Sequence, residues 1–405
     1  MSSAHASTPT ASARALTYAS YASFVPIGIA TVLLGPMRPI LSARWSLSYS
    51  QSGALSIAQY IASTCAVALS GVLAARWGFR FAMKAGLPLM AAGLALLLTG
   101  SKILGILCIA AYGAGLGVAV PAANLLVAAV NPERRSATLN LLNFFWSMGA
   151  VSCPALVAIA AKSDRIPLFL TLVSGFSIVV TIGIALMGRH IVEPRAPADA
   201  GPLLPFIRAR MNTFLAFAAL FFLYVGVENG FGQWVATYAK TLGSLSLAMS
   251  LATPSFFYAS LMLGRWLAPL VLHALNEVRL VQFGLLLACV GMAGLRFSSE
   301  LIGVATSACA AGFGLSIVYP ITISLLSRDF GSPRIGSVMF VLSNVGGGLL
   351  PWIVGVSADQ FHSLKAGLLL PLAGCVLMLL FFLRDWTPTS AHTAQIPQAP
   401  LSGEL

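Results

Sequence analysis

The chain has 405 residues, of which 58% are hydrophobic and 8% are charged, and its mean hydropathy is +0.89. Soluble globular proteins carry about 25% charged residues, so this composition excludes a water-soluble surface and indicates a bundle embedded in a membrane. The net charge of +12 does not indicate nucleic-acid binding, because the basic residues are scattered between apolar runs and form no patch.

Twelve apolar runs are each long enough to cross a bilayer as a helix, which takes about 20 residues. The runs are continuous and do not alternate with polar residues, which argues against a membrane-spanning sheet. The sequence therefore predicts an all-α integral membrane protein with twelve transmembrane helices. In chain order the predicted spans are 16–37, 51–74, 83–101, 104–130, 138–161, 166–187, 212–238, 246–272, 279–297, 300–326, 335–357 and 364–383.

The longest polar stretch inside the chain, residues 189–211, contains four prolines and four arginines and divides the spans into six and six. We interpret it as a cytoplasmic linker between an N-terminal half at 16–188 and a C-terminal half at 212–384. Disordered tails are expected at 1–15 and 385–405.

The distribution of basic residues predicts the orientation of the chain. With both termini on one side, fifteen of the 23 Lys and Arg residues fall in segments on that side, Arg265 among them, and eight fall on the other. Basic residues concentrate on the cytoplasmic side of membrane proteins. We therefore expect a plasma (bacterial inner) membrane protein with both termini in the cytoplasm.

Two glycine-containing segments recur in the two halves. GAGLGVAVP at 113–121 is matched by GFGLSIVYP at 312–320, at an offset of 199, and GAVSCP at 149–154 by GGGLLP at 346–351, at an offset of 197. Small residues in membrane helices can reflect close packing alone, but the matching order favours an internal duplication. Two parallel halves predict a binding site between them near the membrane midplane, reached alternately from each side.

The predicted seventh span contains side chains that are costly to place in a membrane. Glu228 is the acidic residue deepest in any span, Asn229 and Gln233 lie one turn apart, and Trp234 stands beside them. Such groups usually line a substrate or ion path. Amides and carboxylates bind hydroxyls, and an indole stacks on the C–H face of a sugar. Two alternatives remain open: Glu228 pairs with an arginine, and the aromatic residues, above all Tyr238, form an interfacial belt. Three glycines weaken the helix here: Gly226, Gly230 and Gly232.

Other polar side chains fall within spans of both halves, as a central binding cavity requires. Each alone is compatible with a hydrogen bond between helices. Together with the four residues of the seventh span, they are the candidate substrate-binding residues. They are Gln59, Asn124, Asn143, Trp146, Tyr319 and Asn344, with Tyr60 beside Gln59. Arg38, at the outer end of the first span, either snorkels to the interface, which we favour, or guards the outer mouth against cations and attracts an anionic solute.

The loop between the second and third predicted spans, GVLAARWGFR at 71–80, resembles a motif of the major facilitator superfamily. That motif is a glycine, three residues, an acid, an arginine, any residue, a glycine and two basic residues. Ala75 replaces the acid and Phe79 replaces a basic residue. The resemblance implies a cytoplasmic gating loop whose charge relay lacks its acid and in which Arg76 can cap a neighbouring helix. The matching residues are Gly71, Arg76, Gly78 and Arg80.

Within that superfamily, residues 115–150 and 223–240 resemble the fucose-permease and glucose/galactose branch. The acids that proton-coupled fucose carriers place in helices 1 and 4 are replaced here by Gly35 and Val120. The resemblance implies that the cavity is lined by Asn124, Asn143 and Trp146.

These observations favour a secondary transporter that moves a small neutral polyhydroxylated solute, a sugar, by alternating access. Proton coupling through Glu228 is a further hypothesis, since a buried carboxylate can bind a proton in one state and release it in another. The alternatives are an exporter of amphipathic drug-like compounds and a transport-inactive membrane receptor. We expect a monomer whose partners are the solute, a proton or other coupling ion, and the bilayer, with no nucleic acid. No nucleotide loop, metal-ligand spacing or nucleophile–base pair is visible in the sequence, so no enzyme activity, cofactor or metal is expected.

Overall fold

The structure is a computed structural model that describes residues 11–187, 207–208, 210–271, 276–330 and 333–383. The described residues form helices without any strand, and twelve helical segments are long and apolar enough to cross a membrane. The predicted linker at 189–211 and C-terminal tail lie almost wholly outside the described residues. The predicted N-terminal tail is described only from residue 11, where the first helix already begins.

The first six spans are formed by seven helices, because span 1 is built of two. A short 3₁₀ helix, Pro132–Arg134, connects spans 4 and 5. Span 1 is Ala11–Val32 with Leu34–Trp45, and spans 2 to 6 are Tyr49–Trp77, Phe79–Leu96, Lys102–Val130, Arg135–Lys162 and Ile166–Leu186.

The last six spans include four that are interrupted. Span 7 is Met211–Gly232 with Val235–Thr241, span 8 is Leu247–Ala252 with Pro254–Val271, and span 9 is Glu277–Leu295. Span 10 is Leu301–Leu315 with Val318–Asp329, span 11 is Pro333–Gln360, and span 12 is Leu364–Gly367 with Leu369–Leu383.

The twelve predicted spans are confirmed, and the largest difference lies in span 1. Its helix continues to Trp45, eight residues past the predicted end at residue 37. The charge of Arg38 suggests a helix leaving the membrane, but this arginine is buried inside the bundle. Spans 1 and 7 are interrupted at Leu33 and at Gln233–Trp234. These interruptions are 200 residues apart, close to the offset of the repeated segments.

The recurring glycines make equivalent contacts in the two halves. A Cβ at Gly113 in span 4 would collide with the Gln59 carbonyl of span 2, and one at Gly312 in span 10 would collide with the Phe257 carbonyl of span 8. Two residues further along, Gly115 lies against span 3 and Gly314 against span 9 in the same manner. Since close helix approach requires small residues, each GxG segment lets one helix of its half pack tightly against two others.

The two halves are packed together at one end of the bundle. We call it the loop end, because the short loops after spans 1, 3, 5, 7, 9 and 11 lie there; the other is the termini end. At the loop end, a Cβ at Gly53 of span 2 would be 2.8 Å from the Trp352 Cα of span 11. Asp359 of span 11 accepts hydrogen bonds from the backbone amides of Tyr49, at 2.9 Å, and Ser50, at 2.7 Å. The contact is therefore sealed by a carboxylate at the N-terminus of span 2, where helices favour negative charge.

The same two helices are separated towards the termini end. Tyr60 of span 2 touches Gly347 of span 11. Eleven residues, about three helical turns, separate Gly71 from Tyr60 on span 2 and Gly336 from Gly347 on span 11. Each glycine therefore lies on the same face of its helix as the contact. Beyond the neighbouring turns of its own helix, a Cβ at either glycine would have no atom of the described residues within 4 Å. The structure is therefore closed at the loop end and open between the halves at the termini end.

Candidate functional site

Arg38 of span 1 lies at the centre of the polar contact between the halves. Its side chain is 1% exposed. Its Nη1 donates to the Ser52 carbonyl at 2.6 Å, and its Nη2 donates to the Ser56 Oγ at 2.8 Å and to the Gln233 Oε1 of span 7 at 2.6 Å. The favoured snorkelling interpretation is therefore wrong. The helix continues for seven residues past Arg38, about 10 Å at 1.5 Å per residue, and the guanidinium turns inward.

Trp234 covers the Arg38 guanidinium and joins spans 1, 2, 7 and 11. Its ring lies 4.3 Å from the Arg38 Cζ and 6.0 Å from the Tyr49 ring, and its Nε1 donates to the Pro351 carbonyl at 2.9 Å. The indole is 0% exposed, so in this conformation it closes the loop end and is not free to stack on a solute. Tyr238 is also buried and donates to the Leu295 carbonyl at 2.8 Å, so the interfacial belt interpretation is wrong for both.

Asn229 is the next polar side chain towards the middle of the bundle. Its Oδ1 accepts from the Tyr60 hydroxyl of span 2 at 2.8 Å and from the Gln233 Nε2 at 3.0 Å. Asn229 and Gln233, predicted to lie one turn apart, are thus hydrogen-bonded to each other. The helix ends at Gly232, within the glycine-rich segment, which lets Gln233 and Trp234 face the opposite half. Tyr60 binds Asn229 and Arg38 binds Gln233 from the N-terminal half.

Glu228 lies beside this network and is only partly exposed. Its carboxylate neighbours the Tyr224 hydroxyl and is within electrostatic range of Arg265 of span 8 and of Tyr60. The Arg265 Nη2 donates to the Tyr224 hydroxyl at 3.4 Å. Arg265, which the sequence analysis counted with the cytoplasmic segments, is thus the arginine nearest to what the structural alternative requires. Among the described residues, no ion pair within 4 Å joins it to Glu228.

Tyr319 of span 10 extends the cluster around Glu228. Its ring centre lies 5.2 Å from that of Tyr224 and 5.5 Å from that of Phe221. Asn344 of span 11 is half-buried. The structure thus brings Tyr319 together with the seventh-span residues around Glu228.

Four predicted residues of the N-terminal half make hydrogen bonds within that half. Gln59 is buried and accepts from the Tyr112 hydroxyl at 3.4 Å. The amides of Asn124 and Asn143 donate to carbonyls of their own helices, each at 2.9 Å, and the Trp146 Nε1 donates to the Thr31 Oγ1 at 3.3 Å. Asn143 is exposed and Asn124 is half-buried. Their assignment to substrate binding stays a prediction.

The predicted gating loop uses a different arginine from the one expected. The Arg80 Nη2 donates to the Met187 carbonyl at 2.6 Å, at the C-terminus of span 6, where a cation is favourable. Arg76 instead stacks on Trp77, with its Cζ 4.9 Å from the ring. Gly78 has φ 88° between spans 2 and 3, a left-handed conformation that favours glycine. Gly71 borders the open space at the termini end.

The sequence analysis placed two arginines of the site elsewhere and missed three other residues. Two arginines flanked by apolar residues, in LLGPMRPIL and LMLGRWLAPL, were the available signals for Arg38 and Arg265. The serines Ser52 and Ser56 and the carboxylate Asp359 carried no such signal, since serine is common in membrane helices and Asp359 stands near a helix end. Within the described part of the chain, no three His, Cys, Asp or Glu residues lie close enough to hold a metal ion.

A search against protein families matches residues 20–356 to the Major Facilitator Superfamily. The chain belongs to this superfamily. Its members are membrane transporters, and the twelve spans make this one an integral membrane protein.

This superfamily member is similar to two curated relatives with sugar-related names. One is the sodium-dependent glucose transporter 1A of Mus musculus, 21% identical over 89% of this chain and 94% of the relative. Another is a putative glucose/galactose transporter of Helicobacter pylori, 24% identical over the same shares. Among solved structures, a variant of the E. coli fucose:proton symporter FucP has a TM-score of 0.62 and 19% identity, covering 90% of this chain and 97% of that one. The resemblance to the fucose and glucose/galactose branch is thereby confirmed.

Proposed function

We propose that this protein is a secondary transporter that moves a small polyhydroxylated solute of the sugar class by alternating access. The observation that carries the proposal is the inter-half cluster of Asn229, Gln233 and Tyr60, with Glu228 beside it, where the closed contact meets the open gap. Amide, phenol and carboxylate groups together can donate to and accept from several hydroxyls. The names of the two relatives support the sugar class for this chain.

The geometry supports a mechanism in which the same amides serve as a gate and as a binding surface. In the present conformation, Asn229 and Gln233 bind Tyr60 and Arg38 of the other half. Opening the loop end would break these bonds and leave two amides facing the passage. A solute hydroxyl replaces the lost partner of each amide, so binding and opening use the same polar atoms. Closing the loop end restores the bonds and releases the solute towards the termini end.

We further propose that the termini end faces the cytoplasm of a bacterium and that a proton moves with the solute through Glu228. The inside excess of basic residues supports the orientation. Glu228 is placed to couple the two events, because it adjoins the inter-half cluster and Arg265. A change in the separation of the halves would alter the charges and the water around it, and thereby its affinity for a proton.

Transport into liposomes tests both parts of the proposal. The purified protein should accumulate a labelled sugar, from a panel that includes glucose, galactose and fucose, when the outside is made acidic. Glu228→Gln should still exchange the sugar across the membrane but should not concentrate it. The exposed Glu300, outside the cluster, provides the control Glu300→Gln. Accumulation by Glu228→Gln would remove Glu228 as the coupling group, and a wild type that moves no polyhydroxylated solute would refute the sugar assignment.

A further inference from the structure

Arg38 is a fully buried cation whose hydrogen-bond acceptors are all neutral: a backbone carbonyl, a serine hydroxyl and the Gln233 amide. Among the described residues, the one ion pair within 4 Å joins Arg328 to Glu277, far along the chain at the protein surface. The Arg38 Nε is buried and has no hydrogen-bond partner in the described part of the chain. The guanidinium thus lacks a counter-charge, and its Nε–H has no acceptor among the described residues.

Among the described residues, neither of the two carboxylates at the inter-half contact pairs with Arg38. Asp359 accepts two backbone hydrogen bonds from the start of span 2. Glu228 lies with Tyr224 and Arg265. An uncompensated charge in a membrane interior is strongly unfavourable and is usually retained for a function. Because the planar guanidinium matches a carboxylate with two parallel hydrogen bonds, the missing partner is best supplied by a solute.

Gln233 occupies the position that such a partner would take. Its Oε1 accepts from both the Arg38 Nη2, at 2.6 Å, and the Ser56 Oγ, at 2.7 Å. Arg38 and Ser56 belong to the N-terminal half and Gln233 to the C-terminal half. Opening the loop end therefore withdraws this oxygen and frees Arg38 Nη2, beside Nε, to bind an acceptor on a solute.

A cavity of about 260 Å³ lies at the loop end beside this position. It is lined by residues that closely follow Arg38 and Gln233 along their spans, including Ser42 and Thr237. Lys240 is the charged residue of the lining, and the Thr237 Oγ1 is a buried hydroxyl that finds no partner among the described residues. A positive charge beside a cavity raises the local concentration of anions, so Lys240 and the buried arginine favour the same sign of charge.

We propose that the solute carries a carboxylate that binds Arg38, and that it is therefore a sugar acid such as a uronate or an aldonate. The carboxylate takes the place of the Gln233 Oε1 on Arg38 and Ser56, while the hydroxyls bind Asn229 and its neighbours. Gln233 returns to Arg38 when the solute has left. This assignment deepens the proposed function and depends on it only for the hydroxyl-bearing part of the solute.

A matched pair of ligands tests the assignment. Glucose and glucuronate differ at one carbon, which is a hydroxymethyl group in the first and a carboxylate in the second. Binding of both, and of acetate as a carboxylate without hydroxyls, is measured by calorimetry on the purified full-length protein. We expect glucuronate to bind about tenfold or more tighter than glucose. Arg38→Gln should abolish this preference and Arg38→Lys should keep part of it, whereas Arg44→Gln, at an exposed arginine of the same helix, should leave it unchanged.

Each other result has a definite meaning. Equal affinity for glucose and glucuronate, or a preference that survives in Arg38→Gln, would overturn the role of Arg38 and leave the polyhydroxylated solute standing. Acetate binding as tightly as glucuronate, with the difference lost in Arg38→Gln, would keep the anion site and refute the sugar-class proposal. Absence of binding by all three ligands to the wild type would overturn both.

Discussion

At the scale of single residues, one amide oxygen, that of Gln233, holds the two halves together at the loop end. The Gln233 Oε1 accepts two hydrogen bonds from the N-terminal half, and its Nε2 donates to Asn229. A neutral amide can be released from such a contact more easily than a carboxylate, because a carboxylate would add the attraction of an ion pair to the hydrogen bond with arginine. The identity of residue 233 therefore sets how firmly the loop end is closed.

This argument predicts the effect of Gln233→Glu. The new carboxylate supplies the missing counter-charge for Arg38 and should hold the halves together. We expect the melting temperature to rise by about 3–5 °C and transport to fall at least tenfold, since the loop end opens less often. Gln233→Leu should instead lower the melting temperature, because Arg38 then loses an acceptor. Thermal denaturation of both variants, beside a transport assay, measures the effect; a destabilised Gln233→Glu would show that the site does not favour an anion.

At the scale of helices, glycine spacing decides how closely the spans approach. The repeated GxG segments hold each half together, whereas Gly53, Gly347 and Gly348 belong to the contact between the halves. The sequence does not distinguish the glycines that pack within a half from those that pack between the halves. Only the path of each helix shows whether a glycine packs within a half or across the gap.

Span 2 carries a matched pair of glycines that tests this distinction. Gly53→Ala puts a methyl group against the backbone at Trp352 and Pro351, while Gly71→Ala enters open space. Over-packing costs about 1–3 kcal/mol, so Gly53→Ala should lower the melting temperature by about 3–6 °C. Gly71→Ala should not lower it, because alanine favours the helix and meets no neighbour there. Similar values for the two variants would mean that the halves are not packed at Gly53.

At the scale of the whole molecule, the structure has one closed and one open end. The inter-half hydrogen bonds that we describe, from Asp359 to Tyr60, lie on the loop side of the bundle. The gating-loop motif at the termini end lacks its acid, since Ala75 stands in its place. A carboxylate latch between the halves is thus present at the loop end, in the form of Asp359.

Removing the Asp359 carboxylate should open the loop end and close the termini end. In a background without the six native cysteines, Gly336→Cys reports on the open end and Ser52→Cys, at a buried position, on the closed end. Adding Asp359→Asn should speed thiol labelling at residue 52 several-fold and slow it at residue 336. Labelling that rises at both positions would indicate general loosening and would count against alternating access.

The apolar runs by themselves determined the twelve spans and the class of the protein. Hydrophobic length is a local property, and the bilayer leaves the backbone little alternative to a helix. The recurring glycines likewise predicted equivalent helix contacts in the two halves. The seventh-span polar residues marked one wall of the inter-half contact, because a cluster of amides and a carboxylate is unusual in a membrane helix.

Tertiary structure alone decided which side chains meet. The residues around Arg38 do not show whether its side chain snorkels to the interface or turns inward. The outcome depends on a helix that continues to Trp45 and on an acceptor on Gln233, 195 residues away. Trp234 and Tyr238 have the composition of an interfacial belt but are buried by neighbouring spans. Arg265 reached Tyr224 and the neighbourhood of Glu228 for the same reason. The physical cause is that burial and pairing of polar groups depend on the packing of distant helices, whereas membrane insertion depends on each helix alone.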